Sequence, residues 1–255
     1  MEREEAIEKL PNSMFYWWPR VEDCGIPMPK TTLVPVDFDE YLALVVLVGD
    51  GMTSALTDAV FERVDDVASQ YPRPVFIRTD HLADKHHWRN TCYIANDNYE
   101  NLCNHLFKLV EEFELQTFMS GEVMLGFAVR DYIRTNPFFF AFHGGLPINK
   151  ERRLFYERGK GIVCHHNYWP EDSILHPSVP DWKERLKETD DLCDLDLTNV
   201  VYFAEEVGDH LATPEHPAWS IDLMKGADGQ WYFIDCATAD RSYHWAGCEN
   251  ETRWR

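Results

Sequence analysis

Two carboxylates stand where a buried hairpin would not ordinarily carry any. In WSIDLMKGADGQWYFIDCATADRSYHW, residues 219–245, two apolar runs flank ADGQ, and each run holds one acid, Asp222 or Asp235. Asp-Gly between hydrophobic runs is a strong signal for a two-residue hairpin turn. A turn centred on Asp228 and Gly229 sets Met224 opposite Phe233 and Asp222 opposite Asp235. Directly opposed residues have Cβ atoms about 4.5–5.5 Å apart, and like charges there repel. A divalent cation such as magnesium offsets the repulsion, because hard cations take carboxylate oxygens and usually bridge to phosphates. A slipped register, a longer loop or a shared proton would relieve it without metal.

Cations and further acids recur at the ends of other apolar runs. FIRTDHLADKHHW closes a run with Arg78 and then offers Lys85 on a polar loop. Arg grips phosphate with its fork and Lys acts as a point charge. AVRDYI leaves a buried run through Arg130 and Asp131, followed by Tyr132 and Ile133. In INKERRLFY, strand alternation puts Glu151 and Arg153 on one face and Leu154 and Tyr156 on the other. An inward Arg beside an acid pair is a phosphate clamp or a structural ion pair.

These residues need a scaffold. The chain has 255 residues, of which 45% are hydrophobic and 27% charged, an ordinary globular mix for one large domain or two lobes. A net charge of −20 disfavours nonspecific binding to nucleic acid or anionic membranes. No apolar run approaches a membrane span, and the acidic N-terminus has no apolar signal region. Seven Cys without a CxxC pair read as reduced thiols, and the expected compartment is the cytoplasm.

Periodicity predicts a helix over 53–70, with Leu56, Val60, Phe61, Val64 and Val67 at helical spacing and Thr53 or Ser54 as its cap. It predicts another over 98–114, burying Leu102, Leu106, Leu109, Val110 and Phe113. Helices at 180–191 and 197–211 follow, the second burying Val200, Ala204, Val207 and Leu211. YLALVVLV, 41–48, suits a buried strand or the end of a helix. Strands are expected at 73–80, TCYIA, 123–133, FFFAFHGG, around ERGKG and in the closing hairpin. Trp17, Trp18, Trp88, Trp169, Trp231 and Trp245 read mostly as packing residues. The sum is α+β, with antiparallel strands dominating the C-terminal half.

The ordered set of motifs resembles the ATP-grasp superfamily, which includes D-alanine–D-alanine ligase, glutathione synthetase and the ribosomal-protein glutamate ligases. CGIPMPKTTLV looks like the family's entry into the nucleotide-binding lobe, and RPVFIRTD sits where its phosphate-touching strand ends in a cation. The resemblance makes Arg78 and Arg130 nucleotide ligands, Lys85 the cation of a flexible loop over the phosphates, and the backbone of Asp131, Tyr132 and Ile133 the adenine edge. ERRLFY is similar to the acid-x-Arg strand, which makes Glu151 a nucleotide contact and Arg153 the γ-phosphate ligand. SIDLMKGADGQWYFID is similar to the closing metal hairpin, with Asp222 and Asp235 as magnesium ligands.

The implied fold is two α+β lobes with ATP bound between them. The expected organisation is an entry segment, 1–48, an N-terminal lobe, 49–122, and a C-terminal lobe, 123–255, in a compact form without a full N-terminal domain. The implied activity is ATP- and magnesium-dependent joining of a carboxylate to an amine or other nucleophile through an acylphosphate, with Arg153 and Lys85 as catalytic cations. The partners would be ATP and a small-molecule or peptide carboxylate or amine. Two departures matter. Ala237 stands where the family carries a metal-binding Asn, for which Thr238 or Asp240 could substitute, and few residues precede GIPMPKT.

A second reading is a non-catalytic ATP-binding assembly chaperone of the same fold, since Pro147, Glu151 and Arg153 lie near the P-x-x-E-x-R pattern of such a branch. His81, His86 and His87 lie together, as do Cys164, His165 and His166, but neither group has HExxH or CxxC spacing. They are expected to be surface or nucleotide-facing. Arg241, Ser242 and His244 are candidates for substrate contacts. GDGMTSA lacks the Lys of a P-loop, and no GxSxG is present.

Overall fold

A computed structural model describes residues 3–118 and 122–244. Its elements in chain order are α1 (Arg3–Glu8), α2 (Met14–Val21), β1 (Thr31–Pro35), α3 (Phe38–Asp50), α4 (Ala55–Ala68), β2 (Val75–Thr79), a 3-10 helix (Lys85–Asn90), β3 (Tyr93–Ile94) and α5 (Tyr99–Thr117). Then come β4 (Gly126–Asp131), β5 (Phe139–Ala141), β6 (Leu146–Ile148), β7 (Glu151–Glu157), β8 (Gly161–Asn167), α6 (Trp182–Asp190), α7 (Asp194–Leu211), β9 (Ala218–Lys225) and β10 (Trp231–Thr238). The chain divides into two compact units. The first is Met1–Phe15, Lys30–Tyr132 and His143–Leu146; the second is Tyr16–Pro29, Ile133–Phe142 and Pro147–Arg255.

The first unit is built on an antiparallel sheet in the order β1-β4-β2-β3. The run YLALVVLV lies inside α3. Asp37 starts that helix by accepting the Glu40 N–H at 2.8 Å, while the Glu40 carboxylate accepts the Asp37 N–H at 2.9 Å. Gly51, in the left-handed region at φ 69°, ends it. Ser54 caps α4, and its partner Thr57 takes the buried first-turn position, so Leu56 faces solvent rather than the core as its spacing had suggested. Val60, Val64, Leu106, Phe113, Ile77 and Val129 are fully buried where helices and sheet meet. All five α5 positions expected to be inward are buried. β4 pairs with both β1 and β2 and so belongs to this sheet, not to the C-terminal lobe to which its place in the sequence assigned it. Such non-local pairing leaves no trace in periodicity.

The second unit carries an antiparallel sheet in the order β10-β9-β7-β8. One face packs on α7, whose Val200, Ala204, Val207 and Leu211 are buried as expected. Gly208 allows a close approach: a Cβ there would lie 2.3 Å from Cγ of Tyr156 on β7. Asp196 ties the first turn of α7 to the hairpin. It accepts Lys225 Nζ at 2.7 and 2.8 Å and Trp231 Nε1 at 2.9 Å. Burial raises the Asp196 pKa, but these donors outweigh it and hold the carboxyl below its usual range. Trp17 packs edge-on against Phe233, and Tyr16 stacks near Trp219. Trp17, Trp18, Trp88, Trp169 and Trp231 are all buried; Trp245 lies outside the described residues. No single helix among the described residues is long and apolar enough to cross a membrane.

Candidate functional site

The hairpin that drew attention to the site is made differently from its sequence reading. Gly226 donates to the Gln230 carbonyl at 2.8 Å, so the loop is three residues, Ala227–Gly229, with Gly229 in the left-handed region at φ 84°. This type of loop sits beside the two-residue turn among the common hairpin connections. The register next to it is therefore shifted: Phe233 faces Leu223, not Met224. A bulge at Ile234 then restores the offset, and Asp235 lies opposite Asp222 as expected. The bulge has a second effect. Leu223 and Asp222 point to opposite faces of the sheet, so the extra residue turns Asp235 away from the face of Phe233 and onto that of Asp222.

Arg153 completes the group. It is the register partner of Asp222 on β7, and its Nε and Nη2 donate to Asp222 Oδ1 and Oδ2, each at 2.8 Å. Its guanidinium also lies 4.8 Å from the Tyr168 ring centroid. Burial works against the Arg153 charge, but the paired Asp222 carboxylate more than offsets this and raises its pKa. Asp235 is half-buried, and its Oδ1 accepts the Cys236 N–H at 3.0 Å. Glu151 begins β7 on the same face as Arg153 and is 4% exposed. Arg153, Asp222 and Asp235 thus come from three adjacent strands onto one face of one sheet.

The first unit gathers other predicted cations. Phe76 pairs with Arg130, and Arg78 with Ala128. These residues alternate with the core residues Val75, Ile77, Phe127 and Val129, so Arg78 and Arg130 share the sheet face opposite the helical core. Both are 3% exposed. Arg78 donates to the carbonyls of Thr79 at 3.1 Å and His81 at 2.8 Å, and Arg130 to Thr31 Oγ1 at 3.0 Å. Trp88, in the 3-10 helix that starts at Lys85, packs against Phe76, Tyr93 and Tyr132. The segment expected as a flexible cover is thus a folded element. Gly144 N–H donates to the His86 carbonyl at 3.3 Å and lies against the Trp88 backbone. Asp131 N–H donates to the Lys30 carbonyl at 2.9 Å at the end of β4, just before Tyr132; Ile133 opens the next stretch of the second unit.

The histidine expectations need correction. The His81 side chain is buried, with Nε2 3.3 Å from Asp80 Oδ2 and its ring near Phe113. His165 is exposed, but His166 and Cys164 turn to the other face of β8 and meet His244, which the sequence had offered as a substrate contact. Nothing in local spacing joins His244 to β8, so the group was not legible as one. Ser242 shares a hydroxyl hydrogen bond with Ser220, and Arg241 is exposed.

No protein-family model matches the chain, and no curated protein does either. Solved structures do match. Cdc123 from Schizosaccharomyces pombe aligns with a TM-score of 0.55 at 10% identity, over 89% of this chain and 82% of that one. Its C-terminally truncated form aligns with 0.54 at 11%, over 92% and 85%. Carboxyaminoimidazole ribonucleotide synthase from Aspergillus clavatus, complexed with ATP, aligns with 0.51 at 9%, over 92% of this chain and 46% of that one. The chain spans less than half the length of the synthases of this kind that it matches. At these identities the likeness is one of fold, and the fold is ATP-grasp, α+β with antiparallel sheets.

Proposed function

We propose that this protein binds magnesium–ATP and uses it to join a carboxylate to an amine or other nucleophile. The observation that carries the reading is the convergence of Arg153, Asp222 and Asp235 on one sheet face. The donor set suits a hard divalent cation. Each Asp222 oxygen accepts one Arg153 N–H, and a carboxylate oxygen has a second lone pair to offer. Because Arg153 offsets the Asp222 charge, Asp235 would be the stronger ligand. A cation held there would neutralise phosphate charge.

Arg153 would then face the transferred phosphoryl group, held in place by the same Asp222. Lys85, Arg78 and Arg130 are assigned the remaining phosphate contacts. The backbone at Asp131, Tyr132 and Ile133 is assigned the adenine edge, and Glu151 a contact beside Arg153. A substrate carboxylate oxygen attacks the γ-phosphorus, the bond to the β-phosphate oxygen breaks, and ADP leaves. The amine then displaces phosphate from the acylphosphate. Positioning and charge stabilisation supply most of the rate in such transfers.

A second reading, ATP binding without ligation in an assembly protein, draws support from two observations. Ala237 stands at a position that would otherwise offer a metal ligand, and Asp222 is already held by the Arg153 fork. Release of ADP from magnesium–ATP, measured across panels of carboxylates and amines, separates the two. Release that requires an added carboxylate and is lost in Asp235→Ala supports ligation. Nucleotide binding with no release from any pair favours the second reading.

A further inference from the structure

On the same sheet face, one strand beyond Arg153, lies a donor set of a different kind. β8 pairs with β7 so that His166 faces Arg153 and Cys164 faces Phe155. Alternation brings both side chains to the face of Arg153 and Phe155. His244, 3% exposed, stacks on the Phe155 ring at 3.8 Å between centroids and 20° between planes. Phe155 is therefore a platform that seats the third residue over the other two. The Cys164 Sγ and one ring nitrogen from each of His166 and His244 all lie within 4.8 Å of one another.

We propose that Cys164, His166 and His244 bind a zinc ion, at a site separate from the carboxylates that would hold magnesium. Zinc takes thiolate at about 2.3 Å and imidazole at about 2.0–2.1 Å in tetrahedral geometry, which sets neighbouring donors roughly 3.3–3.7 Å apart. Binding would draw the three donor atoms, which all lie within 4.8 Å of one another, to that spacing. Donor chemistry separates the two sites: one thiolate and two imidazoles select zinc or a similar transition metal, whereas Asp222 and Asp235 suit magnesium. Burial lowers the His166 pKa, which favours the neutral imidazole that a metal needs. Arg152 and Arg153 are the opposing influence, cations near His166. Their charges are paired with Asp190 and Asp222, and a Cys164 thiolate adds a negative charge beside the ion. Three protein ligands leave the fourth tetrahedral position for water or a substrate donor, the ligand count of a catalytic rather than a structural zinc.

The test uses the full chain, stripped of metal and kept free of nucleotide and magnesium, titrated with Co²⁺ and followed by absorption. The proposal expects one equivalent bound, with a thiolate-to-cobalt charge-transfer band and the strong visible bands of a four-coordinate ion, displaced by Zn²⁺. Cys164→Ser should abolish the charge-transfer band and His244→Ala should weaken binding at least tenfold, while Cys193→Ser, at an exposed position, should leave both unchanged. No uptake, or a charge-transfer band that survives Cys164→Ser, overturns the proposal. Circular dichroism checks that each variant is folded. Should Cys164→Ser fail to fold, His166→Gln decides, an unchanged titration counting against the site. Because nucleotide is absent throughout, the outcome is independent of whether the protein uses ATP.

Discussion

Arg153 and Asp222 face each other across β7 and β9 and are joined by both arms of the guanidinium fork, Nε to Oδ1 and Nη2 to Oδ2, each at 2.8 Å. The pair fixes the plane and direction of the Arg153 side chain on the sheet face that also carries Asp235. Lysine cannot reproduce that geometry, because its ammonium is a point charge without a fork. Arg153→Lys is expected to weaken ATP binding by about tenfold or more, about 1.4 kcal/mol, although the charge is kept. Calorimetric titration of the variant measures this, and an unchanged affinity would remove Arg153 from the phosphate site.

The 3-10 helix at Lys85 is positioned by its packing. A Cβ on Gly144 would lie 2.4 Å from the Trp88 nitrogen and 2.7 Å from the His87 carbonyl carbon, both backbone atoms that cannot swing aside. Gly144→Ala should lower stability by about 1–3 kcal/mol, the usual cost of overpacking, and reduce nucleotide affinity by displacing Lys85. Gly49→Ala, in α3 with open space around it, is the control and should stabilise the protein by about 0.5–1 kcal/mol. Denaturant unfolding gives both values.

Asp196 makes stability depend on pH in a defined direction. Its pKa is lower in the folded protein than in the unfolded chain, held down by Lys225 and Trp231 against the effect of burial. Its stabilisation is therefore present above the ordinary carboxylate value, about 3.9, and is lost as pH falls through the lowered value. Asp196→Asn should cost about 1.5–3 kcal/mol at neutral pH, as hydrogen bonds to a charged group do. The deficit should shrink in acid as the wild-type carboxyl protonates. Unfolding at neutral and acid pH checks it, and an equal deficit at both would contradict the assignment.

Much of the fold was readable where one period governs. The buried faces of α5 and α7 follow 3.6-residue spacing, and every residue named from it is buried. Leu56 failed because capping decided the first turn of α4 and Thr57 took the inward place. In the hairpin, Asp228-Gly229 signalled a turn but not its length. The Asp222–Asp235 pairing survived because the Ile234 bulge compensates the longer loop, and no sequence period announces a bulge. The place of β4 between β1 and β2, and of His244 over β8, are long-range contacts set by tertiary packing rather than by local pattern.

A calorimetric experiment decides whether the opposed acids form a metal–phosphate site. The purified protein is titrated with ATP, with and without magnesium, as wild type and as Asp235→Ala. If the acids do, ATP binding strengthens with magnesium in the wild type and loses that dependence in the variant. Magnesium-dependent binding that is equally strong in Asp235→Ala, or no ATP binding by the wild type, would contradict it.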